Sequence, residues 1–289
     1  MTDPFHTHRR LLFTVAYDLL GSVADAEDVV QETWLRWSRV DQDDVREPRA
    51  YLVQIATRQA LNRIRTNQAR RENYVGPWLP EPLVAEADVA EGVVDGAARG
   101  EAVSLAMLVV LETLSPLERA VFVLREVFGM SHEEVAATLD RSTATVRQLA
   151  HRAREHVQAR RPRFDADGAE KRRVTQEFLQ ACFTGDLDGL LGLLAPDVRL
   201  VSDGGGKRKA ALRPIVGADK VGRFMVAIAQ EGAGAGRISF ESVNGQVGIV
   251  ARQDGEATYV GLLGVEGGRI TEILILANPE KLAHLTSAP

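Results

Sequence analysis

The sequence predicts two fold classes in one chain, an all-α first half followed by an α+β segment. Three observations carry this. Phe5 to Arg71 and Ser104 to Arg161 repeat apolar residues at helical spacing, Asn73 to Gly100 breaks that period with prolines 77, 80 and 82, and beyond Leu194 strand-like runs alternate with Asn-Gly, Asp-Gly and Gly-Gly pairs. Helices first and a hairpin meander afterwards mean separate domains of different class.

With 289 residues, 45% of them hydrophobic and 26% charged, the chain suffices for two or three globular domains. A single cysteine, Cys182, allows neither an internal disulfide nor a cysteine metal cluster. No apolar run reaches the roughly 20 residues that span a bilayer, and MTDPFHTHRR lacks the apolar core of a signal peptide, so a cytoplasmic protein without membrane contact is expected. The net charge of -5 excludes a uniformly basic nucleic-acid coat, but the signs are segregated. Arg46 to Arg71 and Arg141 to Arg163 are basic, whereas Asp18 to Asp44 and Glu81 to Glu101 are acidic, which predicts two separate contacts with one polyanion.

Three helices account for the first segment. Their apolar faces are Leu11, Leu12, Val15, Leu19 and Leu20; then Val29, Val30, Thr33, Trp34 and Trp37; then Tyr51, Leu52, Ile55, Ala56, Leu61 and Ile64, with Pro48 at the start of the third. Trp34 and Trp37 are assigned to the core. The prolines keep WLPEP, Trp78 to Pro82, extended within a linker. Three helical signals follow from Ser104. Ser115 with Glu118 and Ser131 with Glu134 form capping boxes, Gly129 closes the first helix, Asp140 and Arg141 make a turn, and Ser142 or Thr143 starts a helix to about Arg160. Two helices near Glu170 to Phe183 and Leu187 to Leu194 precede the strand VRLVS. A helix from Ala218 to Gln230 and the strands RISFESVN, QVGIVAR, ATYVGLLGV and RITEILIL complete the chain.

A short capped helix, a tight turn and a longer helix make a helix-turn-helix, whose second helix fits the major groove. Val146, Leu149, Ala150 and Ala153 face inward. Arg147, His151 and Arg154 share the opposite face beside Gln148 and Arg152. Arginine reads guanine and glutamine adenine, and Ser142, Thr143 and Thr145 at the helix start suit phosphates. A solvated basic helix on an ordinary bundle would show the same spacing.

Longer motifs separate the two. DAEDVVQETWLRW, Asp25 to Trp37, with PRAYLVQIATRQALNRIR, Pro48 to Arg65, resembles the sigma-two region of extracytoplasmic-function sigma factors. SPLERAVFVLREVFGMSHEEVAATLDRSTATVRQLAHRAR, Ser115 to Arg154, resembles their sigma-four region. The resemblance implies that Asp25, Asp28, Gln31 and Glu32 engage the clamp of core RNA polymerase, whose flap is a further partner. It implies that Arg49, Tyr51, Arg58, Asn62, Arg63 and Arg65 hold the melted minus-10 strand, with the loop from Val40 to Glu47 capturing an extruded base. It places Arg147, Gln148, His151 and Arg152 on the minus-35 duplex.

DGGGK, Asp203 to Lys207, does not have the spacing of a Walker A loop, since Arg208 follows the lysine. The helices and meander around it resemble the SnoaL-like cone, in whose pocket Asp203 and Tyr259 are candidates for acid-base work. No histidine lies between Gly168 and Ala283, so a metal or histidine-base site is not expected there. A subgroup of these sigma factors carries a SnoaL-like extension with WLPEP, DGGGK and an NPDKL-type ending. This chain has all three, with Asn278, Pro279, Glu280, Lys281 and Leu282 at the last. The resemblance implies regulation in cis, with no enzyme activity and no cofactor, and leaves open a small-molecule ligand in the cone.

The proposed contact surface comprises Trp78, Pro80, Glu81, Asp203, Gly204, Gly205, Gly206, Lys207, Asn278, Pro279 and Lys281. Lys207 is expected to pair with Glu81 and Trp78 to be the apolar anchor; a plain strand-to-strand turn would also account for the glycines. The expected domains are sigma-two at residues 1–72, the linker at 73–103, sigma-four at 104–163 and the SnoaL-like domain at 168–289.

Overall fold

The computed structural model describes residues 3–85, 103–160, 168–231 and 236–285. The expectations for the acidic stretch at 86–102 and for the end of the basic segment at 161–163 lie outside the described residues. Backbone contacts divide the chain into two units, Met1–Asn73 with Asp95–Arg161, and Tyr74–Val94 with Pro162–Pro289.

In the first unit α1 (Pro4–Leu20) starts at Asp3, whose carboxylate accepts from the Phe5 N–H, and ends at Gly21 in the left-handed region. The Ser22 hydroxyl caps α2 (Val23–Trp37), and Pro48 opens α3 (Pro48–Glu72) at its first position. Leu12, Val15, Leu19, Val29, Val30, Trp37, Leu52 and Ala56 are buried among them. Trp34 departs from expectation: it is 43% exposed, one position off the stripe that buries Val30, Thr33 and Trp37.

The second part of this unit has an extra helix, α4 (Leu105–Leu111), before α5 (Pro116–Phe122). A π-helical turn, Val123–Val127, continues α5 towards Gly129. Both expected capping boxes form, at Ser115 with Glu118 and at Ser131 with Glu134, the latter opening α6 (His132–Leu139). Asp140 adopts φ 54, which turns the chain into α7 (Thr143–Arg160).

The second unit wraps α8 (Gly168–Thr184), α9 (Leu187–Leu193) and α10 (Ala218–Glu231) with one sheet. Its strands are β1 (Val84–Ala85), β2 (Leu194–Asp203), β3 (Ile215–Val216), β4 (Arg237–Val243), β5 (Gln246–Gln253), β6 (Glu256–Glu266) and β7 (Arg269–Leu276), in spatial order β1-β4-β5-β6-β7-β2-β3. The meander is antiparallel, and β2 joins β7 in parallel. Each hairpin turns on two residues of positive φ, Asn244-Gly245, Asp254-Gly255 and Gly267-Gly268, which supply the twist adjacent strands need. Val174, Phe178, Leu190, Leu194, Val198, Leu200, Val221, Leu263, Ile270 and Ile273 fill the interior. The short helix α11 (Pro279–Leu282) follows β7. Among the described residues no helix is long and apolar enough to cross a membrane, and no group of three metal-ligating side chains occurs.

Candidate nucleic-acid interface and linker dock

The α7 helix presents what its spacing promised. Val146, Leu149, Ala150 and Ala153 are buried, while Arg147, Gln148, His151 and Arg152 are exposed and Arg154 is half-buried. Ser142 accepts from the Thr145 N–H at 3.2 Å and lies 2.8 Å from its hydroxyl, so these two side chains form the helix cap. Acids on neighbouring helices face the cations: Arg147 with Glu133 at 3.4 Å, Arg152 with Glu118 at 3.3 Å and Arg154 with Glu126 at 2.9 Å; within α7, His151 lies 3.6 Å from Glu155. Such exposed pairs are worth under about 1 kcal/mol each and yield readily to a polyanion.

On α3, Arg49, Arg58, Asn62 and Arg65 are exposed, and Tyr51 is half-buried with its ring 6.1 Å from that of Trp37. Arg63 differs from the expectation of a strand-holding cation. Its guanidinium turns to α2, 2.7 Å from Asp28, 3.4 Å from Asp25 and 3.7 Å from Glu32. Asn67 donates to Asp25 at 2.7 Å and Gln59 to Glu32 at 2.8 Å. Three carboxylates along one helix gather the nearest cation, so Asp25, Asp28 and Glu32 are all engaged with α3; of these Asp28 stays exposed, as are Gln31, Trp34 and Leu35.

A second polar cluster was not legible as periodicity. Glu112 accepts both guanidinium arms of Arg119, at 2.7 and 3.0 Å, and also pairs with Arg71. Arg119 donates to the Leu19 carbonyl and Arg71 to the Leu20 carbonyl, each at 3.0 Å, where α1 leaves its last carbonyls without helical partners. Close by in sequence, Asp18 is buried, with Oδ1 accepting from the Val103 N–H at 3.3 Å and burial raising its carboxyl well above the usual range.

In the second unit the three motifs meet at one carboxylate. Asp203, at the end of β2, is fully buried and accepts from the Tyr74 hydroxyl at 2.5 Å, the Leu79 N–H at 2.8 Å and the Lys281 ammonium at 2.7 Å. Asn278 caps α11 by accepting from the Glu280 N–H, Pro279 takes the first helical position, and Lys281 in that turn is carried to Asp203. The same ammonium bonds the Leu79 carbonyl at 2.5 Å and lies 3.9 Å from the Trp78 ring centre and 4.8 Å from that of Tyr74. Burial and the Asp203 bond raise the Tyr74 hydroxyl further above its ordinary value, so it stays a donor.

The glycines serve close approach. Gly205 has φ 57, and a Cβ there would collide with the Asn278 amide and stand 2.8 Å from the Tyr74 hydroxyl, which Asn278 in turn contacts at 2.7 Å. Further along, Leu83 and Asn244 exchange two hydrogen bonds at 2.8 and 2.9 Å, β1 adds to the edge of β4, and His284 donates to the Pro82 carbonyl at 2.8 Å.

Three expectations are corrected here. Lys207 ion-pairs with Glu280, its neighbour on α11, instead of Glu81. Leu79, 1% exposed, is the apolar anchor, whereas half-buried Trp78 serves as a face for Lys281. Asp203 and Tyr259 form no acid-base pair, because Asp203 is committed to the linker and Arg208 lies over the Tyr259 ring at 5.6 Å.

Comparison with known proteins agrees with this layout. The Sigma-70 region 2 family matches residues 5–70, and the Sigma-70, region 4 family matches residues 104–157. Together these regions define a promoter-directing transcription initiation factor, which performs no covalent chemistry. The ECF RNA polymerase sigma factor SigJ of Mycobacterium tuberculosis is 39% identical over 96% of this chain and 91% of its own length. The probable ECF RNA polymerase sigma factor SigI of that species is 35% identical over 97% and 94%. A crystal structure of Mycobacterium tuberculosis SigJ, 36% identical, matches with a TM-score of 0.77 over 98% of both chains. The chain belongs to the ECF RNA polymerase sigma factor family, and it directs RNA polymerase to promoters.

Proposed function

We propose that the first unit contacts core polymerase and two promoter elements, and that the second unit regulates it in cis by holding the linker. The observation that carries the regulatory part is the Asp203 carboxylate, which collects Tyr74 and Leu79 from the linker and Lys281 from α11. A linker fixed along Tyr74 to Ala85 loses the freedom to follow polymerase, so docking and initiation are thermodynamically linked. Release then depends on whatever weakens the dock.

Asp28, Gln31, Trp34 and Leu35 make a mixed polar and apolar face on α2 suited to the polymerase clamp, with the flap meeting the helix-turn-helix half. Arg49, Tyr51, Arg58, Asn62 and Arg65 hold the melted minus-10 strand, with Arg63 orienting α2 against α3. Arg147, Gln148, His151 and Arg152 read the minus-35 duplex, and Thr143 and Arg154 meet its backbone. The protein acts in the cytoplasm, where its polymerase is.

The DNA-reading assignment is tested on a cognate promoter fragment bound by holoenzyme. Arg147→Ala is expected to weaken minus-35 binding by about 10- to 100-fold, the cost of one bidentate base contact, and to relax preference at one base pair. Equal loss on all sequences would make Arg147 a phosphate contact only.

A further inference from the structure

We propose that the helix-facing side of β4, β5 and β6 binds an apolar carboxylic acid whose carboxylate is held by Arg208, and that the loop carrying Arg208 passes this occupancy to the linker. Register places the apolar part of the site. Ile238 pairs with Ala251 and Ala251 with Tyr259, while Phe240 pairs with Ile249 and Ile249 with Gly261. Directly paired residues share a face. Gly261 in turn pairs with Ile275, which belongs to the interior cluster with Val174 and Phe178 of α8, so both rows face the helices. Yet Ile238 is 39% exposed and Phe240 and Ile249 are only half-buried. The strip is therefore apolar, turned inward and partly uncovered, and three strands make it about 10 Å wide. Gly261, without a side chain, leaves a shallow recess beside Ile249.

The polar end of the strip selects the ligand. Arg208 is exposed, lies over the Tyr259 ring at 5.6 Å and pairs with no carboxylate among the described residues, and the Tyr259 hydroxyl makes no hydrogen bond among them. From Gly204 to Ala218 the chain carries Lys207, Arg208, Lys209 and Arg213 and no acid, so the local field favours an anion. A guanidinium takes a carboxylate through two parallel N–H donors, the hydroxyl adds a third, and the strip covers an apolar body. The same loop touches the linker on its other side. A Cβ on Gly206 would stand 3.2 Å from Val75, and one on Gly76 would stand 3.7 Å from Leu212. Within the loop the Ala211 N–H donates to the buried Ser202 hydroxyl at 2.8 Å, so a shift of Arg208 towards a ligand moves a segment anchored at both ends. Transmission to the linker rests on the cis-regulatory reading; the binding site does not.

Isothermal titration calorimetry of the free full chain with octanoate tests both parts without polymerase or promoter, so its outcome is separate from that of any transcription assay. One saturable site is expected, with a Kd of about 1 mM or tighter for so small a ligand. Arg208→Gln, at an exposed position, is expected to weaken it at least about 10-fold, and Tyr259→Phe about 3- to 10-fold. Octanol, which keeps the chain and lacks the charge, is expected to bind at least about 10-fold more weakly than octanoate. Absence of saturable octanoate binding, an unchanged Kd in Arg208→Gln, or equal affinity for octanol would overturn the site. Leu79→Asp, which puts a carboxylate into the linker's buried position, is expected to change the octanoate Kd at least about threefold, because coupling between two sites is reciprocal. An equal Kd in that variant would overturn the transmission to the linker.

Discussion

Asp203→Ala is expected to cost the second unit about 3–5 kcal/mol, because it leaves the Lys281 ammonium, with 7% of its side chain exposed, beside no counter-charge. Lys281→Met alone is expected to cost nearly as much, since it strands the carboxylate. Both removed together, as Asp203→Leu with Lys281→Met, should cost clearly less than the sum. Denaturant unfolding followed through the fluorescence of Trp78, in variants where Trp34 and Trp37 are replaced by phenylalanine, reads the unit that contains the dock. Strict additivity would contradict a coupled pair. The exposed Lys207 and Glu280 pair offers the contrast, because its disruption should move stability little.

Glu112→Ala carries the second large effect. It leaves Arg119, 3% exposed, with no carboxylate and with its Nε already lacking a partner among the described residues. A loss of about 3–5 kcal/mol is expected in the first unit, whereas Glu133→Ala, which breaks an exposed pair, should change stability by under about 1 kcal/mol. Differential scanning calorimetry of the two variants checks this. Equal small effects would mean that the Glu112 cluster is solvated and does not brace the helices.

The helical half was legible because its signals are local. Ser115, Ser131, Pro48 and Gly129 act within one turn of themselves, and the inward stripe of α7 repeats at the helical period. Helix α4 escaped because LAMLVVL is apolar on every side, so burial leaves no period to detect. Strands β1 and β3, two residues each, exist only through their pairing with β4 and β2.

The dock was legible as three motifs but not as a set of contacts. Lys207 and Lys281 look alike in sequence, and only the packing of α11 makes one a surface cation and the other a buried partner of Asp203. Arg63 was read from its helix face, and the acids that claim it lie 31 to 38 positions earlier, at Glu32, Asp28 and Asp25. Asp18 and the Glu112 cluster have the same origin, since pairings between distant helices leave no local pattern.

Run-off transcription with core polymerase and a cognate promoter, comparing the native chain with Leu79→Asp, tests the central claim most directly. That substitution puts a carboxylate into the linker's buried site and undocks the linker, leaving Asp203 and Lys281 to pair in a folded second unit. Both proteins are expected to initiate from the same start site, with yields that differ at least about threefold, a shift of the order that one weakened contact produces. Equal yields would contradict cis-regulation through the dock, and no start-specific transcript from the native chain would contradict the assignment of its promoter-reading residues.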